Sequence, residues 1–362
     1  MSSKASRPGR DEAILVFRIG SLGDTVVALP ALHEIRRRHL DARIVLLTNT
    51  PADGGVLAAS SVQVLAGTGL IDDVLEYPHG RRSVRALLGL LLQLRYRGIR
   101  RGYFLMPVRS AQQDRRDRLF FRLAGIRHLV GVGVQPSRVA PKVPGGRWEG
   151  EARRLMRTIG AEGRSLRVED FCLHLGEAER NVAAQRLSQA GLEGPYLVIG
   201  VGGKRPANDW GDDNWREVLR QISGLVPGHG LVAIGAAAES GRHGALLAGW
   251  PGGTANLCGA LAPRESAAIL ERARLMICRD SGPMHLASAV RTPTVAVFSA
   301  RDLPGLWFPF AQEDNVIYRD VPCKGCELYE CTEYGLRCMT GILPKEVVAK
   351  AAVLLGVAPL AT

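Results

Sequence analysis

The sequence has little of what usually assigns a chain quickly. Its first dozen residues, MSSKASRPGRDE, are polar and basic with no apolar core behind them, so residues 1–12 read as a loose tail and no secretory signal is expected. The longest apolar run, Leu87 to Leu92, is far short of the roughly 20 residues a bilayer needs, so no transmembrane span is expected and the protein is placed in the cytoplasm. Aromatic residues make up 6% of the chain, and no zinc-finger, RRM or helix-turn-helix pattern occurs, which speaks against nucleic acid. The GxGxxG fingerprint is missing from the glycine loops, which argues against a dehydrogenase. Lysine is scarce: 41 of the 47 basic residues are arginine.

What is abundant is positive charge in one half. The net charge is +12; residues 1–175 hold 29 Lys+Arg against 16 Asp+Glu, whereas residues 176–362 hold 18 against 19. Arginine binds phosphate bidentately, so the first half suits an anionic partner such as a phosphorylated lipid or sugar, with codon bias as the plain alternative. The leucine-rich stretch Ser83 to Arg97 is flanked by Arg81, Arg82, Arg85, Arg95, Arg97, Arg100 and Arg101. It admits two readings: an ordinary layer helix with charged ends, or a basic amphipathic helix that would seat the protein peripherally on the cytoplasmic face of an inner membrane. Arg109, Arg115, Arg116, Arg118 and Arg122 form a further cluster, in which Arg109 directly follows a strand and is the one expected to face a ligand.

At 362 residues the chain is comfortable for two domains, each with its own core. Apolar runs at Ala13 to Ile19, Arg43 to Thr48, Gly102 to Val108 and His128 to Val132 read as strands, with a helix from about Thr25 to His39 that has Pro30 near its start. Composition eases between Gly160 and Pro195, and five more strands follow at Tyr196 to Val201, Leu231 to Gly235, Ala255 to Leu257, Leu275 to Cys278 and Thr294 to Phe298. The fold class expected is therefore α/β, with doubly wound domains at 13–175 and 176–343, a cleft between their strand ends, and a C-terminal helix and tail at 344–362.

Three loops collect the chemistry. Gly20-Ser21-Leu22-Gly23-Asp24 follows the first strand; Asp24 there is either an N-cap or an open carboxylate able to take a proton. Gly202-Gly203-Lys204-Arg205 is a glycine turn with cations. Asp280-Ser281-Gly282-Pro283 opens a helix abruptly at a strand's carboxyl end, where free N–H groups and the helix dipole suit a phosphate and His285 in the first turn could add a donor. The plain alternative for that last loop is a capped βαβ connection with an incidental histidine.

Four stretches resemble glycosyltransferase family 9, the heptosyltransferases of lipopolysaccharide inner-core assembly: ILVFRIGSLGDTVVALPAL at Ile14 to Leu32, DWGDDNW at Asp209 to Trp215, DSGPMHLASA at Asp280 to Ala289, and the cysteine cluster ending in RCM at Arg337 to Met339. The resemblance implies a GT-B fold of two Rossmann-like domains, acceptor bound by the first and nucleotide sugar by the second, with metal-independent inverting transfer and no cofactor besides the donor, ADP-heptose. It implies that Asp24 is the catalytic base, that Asp280, Ser281, Gly282 and His285 bind the donor, and that Glu239 holds its ribose. Ser21 and Arg109 are assigned to the acceptor side, a phosphorylated glycolipid. This chain has Asn208 where the family usually has lysine, and Lys204 or Arg205 could supply that charge. The rival readings are a degenerate relative that only binds nucleotide sugar or glycolipid, and a transferase using another nucleotide sugar.

Cys323, Cys326, Cys331 and Cys338 have the spacing C-x2-C-x4-C-x6-C. Structural zinc, a folded reduced loop and redox chemistry all remain open for them, while Cys172, Cys258 and Cys278 lie in apolar segments and read as core.

Overall fold

Every apolar run expected as a strand is one, and the strands pair into two all-parallel sheets. The computed structural model describes residues 12–50, 61–78, 83–108, 110–133 and 146–358. In the first sheet β1 (Ala13–Phe17), β2 (Arg43–Thr50), β3 (Asp73–Pro78), β4 (Arg101–Phe104) and β5 (His128–Val130) lie in the order β3-β2-β1-β4-β5. In the second, β6 (Tyr196–Gly200), β7 (Gly230–Ala233), β8 (Thr254–Asn256), β9 (Met276–Arg279), β10 (Thr294–Val297) and β11 (Val316–Ile317) lie in the order β11-β10-β9-β6-β7-β8. Both are Rossmann orders, and in each the chain winds one way and then the other from a central pair. The switch points therefore fall between β1 and β4 and between β6 and β9, and ligands of such sheets bind outside the carboxyl ends of those strands.

The chain divides into two compact units, Met1–Arg138 with Ala152–Asp170 and Val139–Glu151 with Phe171–Thr362. Residues just before the helix Glu151–Thr158 already pair with the second unit: Trp148 N–H donates to Pro304 O at 2.7 Å and Glu151 N–H to Leu306 O at 2.9 Å. In the first unit Leu15, Phe17, Val45, Leu47 and Phe104 pack against Leu90, Leu94 and Phe121, so the helices Val84–Tyr96 and Ala111–Leu123 cover one face of the sheet. In the second, Leu197, Ile199, Leu231, Ile277 and Val295 pack against Trp215, Val218 and Ile222 and against Val347, Val348, Ala351 and Leu355 of the helix Pro344–Leu355. That last helix is a layer of the second core.

Two details depart from the expectation. The helix drawn from Thr25 to His39 is two helices, Leu22–Val26 and Leu29–Arg38, with Pro30 in the first turn of the second. Proline has no N–H to give and its ring collides with the carbonyl four residues back, so the chain ends one helix and starts another. The strands β3 and β11 were not expected; both sit at sheet edges, β3 carrying Asp73 and Glu76 among its apolar residues and β11 having only two residues.

Candidate functional site

The first crevice is built by a buried arginine. Arg18, 1% exposed, donates from Nη1 to Leu105 O at 2.6 Å and from Nε and Nη2 to Asp24 O at 3.1 and 2.5 Å, so it ties the loop after β1 to the end of β4 across the switch point. Because the helix begins at Leu22, the N-cap is Ser21 and Asp24 is the third helical residue, which corrects the reading of Asp24 as an N-cap. Ser21 N–H and Oγ both donate to Asp24 Oδ2 at 2.8 Å, a capping box. Oδ1 is left with the Arg18 guanidinium at 3.5 Å. A Cβ on Gly20 would fall 2.4 Å from Asp24 Cβ, so only glycine lets this carboxylate fold back over the loop.

The second crevice gathers residues from the ends of four strands. After β6, a Cβ on Gly202 would lie 2.0 Å from the Glu239 carboxyl carbon and one on Gly203 would lie 2.7 Å from Arg279 Nη2, so the two glycines make room for those side chains. After β7, Glu239 Oε2 accepts from Ala236 N–H at 2.9 Å. His243 anchors that turn: Val201 N–H donates to its Nε2 at 3.1 Å and its Nδ1–H donates to Glu239 O at 2.9 Å. Burial lowers the His243 pKa, consistent with a neutral ring carrying its proton on Nδ1.

At the end of β9 stand Arg279, Asp280 and Ser281. Arg279 is 2% exposed; its Nη2 donates to Arg205 O at 2.9 Å, its Nη1 lies 3.9 Å from Asp209, and its Nε–H has no partner. Ser281 caps nothing, and its buried Oγ is likewise unpartnered. Burial and the nearby Asp302 charge push the Asp280 carboxyl up to about 6. Asn208 links it to the end of β10: Asn208 Nδ2 donates to Asp280 Oδ2 at 3.2 Å, and Ser299 Oγ donates to Asn208 Oδ1 at 2.7 Å. A buried guanidinium, an unused hydroxyl and the start of the eight-residue helix Gly282–Ala289 thus converge at the switch point, and together they suit a phosphate group.

A sequence profile of glycosyltransferase family 9 (heptosyltransferase) matches residues 168–336, which contain this whole crevice. Residues 168–336 are thus a glycosyltransferase family 9 region, just under half of the chain. Lipopolysaccharide heptosyltransferase 1 of Pseudomonas aeruginosa is 29% identical over 168 residues, and the match spans 45% of this chain and 45% of that relative, less than half its length. Among solved structures, the family 9 glycosyl transferase of Veillonella parvula superposes with a TM-score of 0.73 at 18% identity, covering 97% of this chain and 99% of that one. The E. coli ADP-heptose LPS heptosyltransferase II gives 0.67 at 20%, covering 95% and 98%. At these identities the likeness is one of fold, and it bears out the GT-B-type α/β architecture of two Rossmann-like units.

Measured against the family 9 motifs, Glu239, Asp280, Ser281 and Gly282 lie together at one sheet edge. His285 is 5% exposed and packs edge-on to Trp307, with ring centroids 6.5 Å apart. Lys204 and Arg205 are exposed, and the cation buried among these groups is Arg279, which the sequence reading did not single out. Its signal was available: an arginine ending an apolar strand, directly before the loop, is costly to bury without a ligand or partner. The DWGDDNW segment is scaffold. Trp210 and Trp215 meet edge to face in the core, and Asp209 and Asp212 hold Arg242 at 2.7 and 2.6 Å. Arg109 lies outside the described residues. Among the described residues no group of three or more His, Cys, Asp or Glu side chains is gathered to hold a metal ion, so the zinc reading of Cys323, Cys326, Cys331 and Cys338 finds no support in the geometry; the four are free thiols.

Proposed function

We propose that the protein is an inverting glycosyltransferase that moves heptose from ADP-heptose onto a phosphorylated lipopolysaccharide-core acceptor, with the second unit holding the nucleotide sugar and the first holding the acceptor. The observation that carries the donor half is the pair of unpartnered buried donors, Arg279 Nε–H and Ser281 Oγ–H, at the β6/β9 switch point. In this reading a diphosphate there accepts from both and from the N–H groups opening the helix Gly282–Ala289, and the Glu239 carboxylate accepts from ribose hydroxyls. In the first unit, Asp24 Oδ2 is held by Ser21 and Oδ1 takes the proton of the attacking acceptor hydroxyl. That oxygen attacks the anomeric carbon, the bond to the diphosphate breaks, and the departing negative charge falls on Arg279 and the helix start without a metal ion. Ser21 acts here by positioning Asp24.

The acceptor's charge fits a first half rich in arginine, although part of that excess is internal scaffold. Glu34, held at about 2 by the hydrogen bonds of Arg37 and Arg38 against the opposing effect of burial, also pairs with Arg164.

One observation favours a second reading, a transferase using a different nucleotide sugar. Asn208 occupies the place of the usual family lysine and is fastened to Asp280 and Ser299, so no charge is offered from that position. Thermal shifts with ADP-, GDP-, UDP- and CDP-sugars separate the two, followed by transfer assays onto heptose-deficient lipopolysaccharide core with and without chelator. A shift and transfer with ADP-heptose, inversion at the anomeric carbon, and indifference to chelator are expected. Transfer from another nucleotide sugar alone would replace the donor assignment, and loss of transfer with chelator would replace the metal-free course.

A further inference from the structure

The helix Val84–Tyr96 turns Leu90 and Leu94 into the first core, yet its outer face is apolar as well. Val84 is 70% exposed, Leu88 54%, Leu92 64% and Tyr96 94%. These four recur every fourth residue, which aligns them in one stripe along the helix. The helix Ala111–Leu123 extends the surface with Leu119 and Leu123, both exposed, and Arg95 joins the two helices by donating from Nη1 to Leu123 O at 2.8 Å. Single exposed leucines are ordinary, but a contiguous patch across two neighbouring helices marks a surface that meets something apolar.

The charges around the patch decide what that is. Residues 84–97 include Arg85, Arg95 and Arg97 and no acidic residue, and Arg85, Arg115 and Arg122 are exposed. Arg97 is engaged by Asp73. Leucines entering the acyl boundary, a tyrosine at headgroup level and guanidinium groups among phosphates are the complement of an anionic bilayer surface. Among the described residues no helix is long and apolar enough to cross a membrane, so the helix would lie in the interface. We propose that this two-helix face of the first unit docks on anionic phospholipid bilayers. The inference does not rest on the transferase reading, because the headgroups themselves supply the negative charge.

The test uses the full chain and sedimentable vesicles of phosphatidylcholine alone or mixed with phosphatidylglycerol, neither carrying any glycolipid. Co-sedimentation with the anionic vesicles only, weakened by added salt, is expected. Leu88→Gln and Leu92→Gln should each lower partitioning roughly tenfold, and Arg85→Gln about fivefold. Val353→Gln, also exposed but on the terminal helix of the second unit, should change nothing. All these side chains are exposed, so melting temperatures should match wild type, which separates lost docking from lost folding. Wild type staying in the supernatant with anionic vesicles, or Leu88→Gln and Leu92→Gln both sedimenting like wild type, would overturn the proposal. So would a lipid-free dimer that the leucine variants dissolve, since the face would then cover a second copy. Nucleotide binding and sugar transfer are measured without vesicles, so the two readings fail separately.

Discussion

The two crevices share a sheet order and differ in how their polar groups are satisfied. In the first, Arg18 fills its bonds with Leu105 O and Asp24 O, and Asp24 Oδ2 receives two donors from Ser21, so the loop is locked by its own residues. In the second, an equally buried arginine, Arg279, keeps Nε–H unpartnered, and Ser281 keeps its hydroxyl unpartnered beside it. A buried donor without a partner costs about 1–3 kcal/mol, and one recovered on ligand binding turns that cost into affinity. Pre-organisation in one unit suits a fixed proton acceptor; unsatisfied donors in the other suit a bound anion.

The largest effect expected of that contrast is on turnover. Asp24→Asn should lower turnover about 10²–10⁴-fold with nucleotide affinity nearly unchanged. An amide keeps an acceptor oxygen for Ser21, as glutamine does in a capping box, so melting temperature should move little. Turnover within a few-fold of wild type, measured with the true donor and acceptor, would reduce Asp24 to a structural residue.

Next comes pH. The folded Asp280 carboxyl titrates at about 6 against an ordinary 3.8, raised by burial and by Asp302. The folded state therefore keeps a proton that the unfolded chain has released, so the stabilising contribution is fully present below about 3.8 and is lost as pH rises through about 6. The total is at most about 3 kcal/mol. Asp280→Asn, which keeps an acceptor for Asn208, should remove that dependence: wild type should lose stability relative to the variant between pH 4 and 7 in urea unfolding. A difference constant across the window would mean that the carboxylate is well accommodated when charged.

Arg279→Gln should weaken ADP binding about 10–100-fold, the worth of a charge-assisted hydrogen bond, as read by calorimetry. Unchanged affinity would move the diphosphate elsewhere.

The strands and loops that frame both crevices were legible in the sequence, and what was not has identifiable causes. Short apolar runs bounded by glycine loops located the central strands, because a parallel strand under helices must be apolar throughout. The edge strand DVLEYP was missed since acidic residues interrupt its apolar pattern, and Val316–Ile317 is too short to show any. The loops carrying Ser21, Asp24, Asp280 and Ser281 were read from the turn chemistry that places them. Arg18, Arg279 and His243 were not, because each works through contacts remote in sequence: Arg18 with Leu105, Arg279 with Arg205, and His243 with Val201. Local patterns cannot show such pairings.

The smallest effects give the cleanest division between the crevices, because one substitution can be made in both. Ser21→Ala removes the hydroxyl that donates to Asp24 Oδ2. It should destabilise the first unit by about 0.5–1.5 kcal/mol, the worth of one hydrogen bond, with ADP affinity unchanged. Ser281→Ala removes a hydroxyl that bonds to nothing in the free protein, so stability should hold or rise slightly. The loss should appear instead in ADP affinity, about 2–10-fold for one neutral hydrogen bond. Thermal melting and calorimetry on the two variants then form a crossed pair. If Ser281→Ala destabilised the free protein and left ADP binding intact, the second crevice would be as self-satisfied as the first, and the contrast between them would be lost.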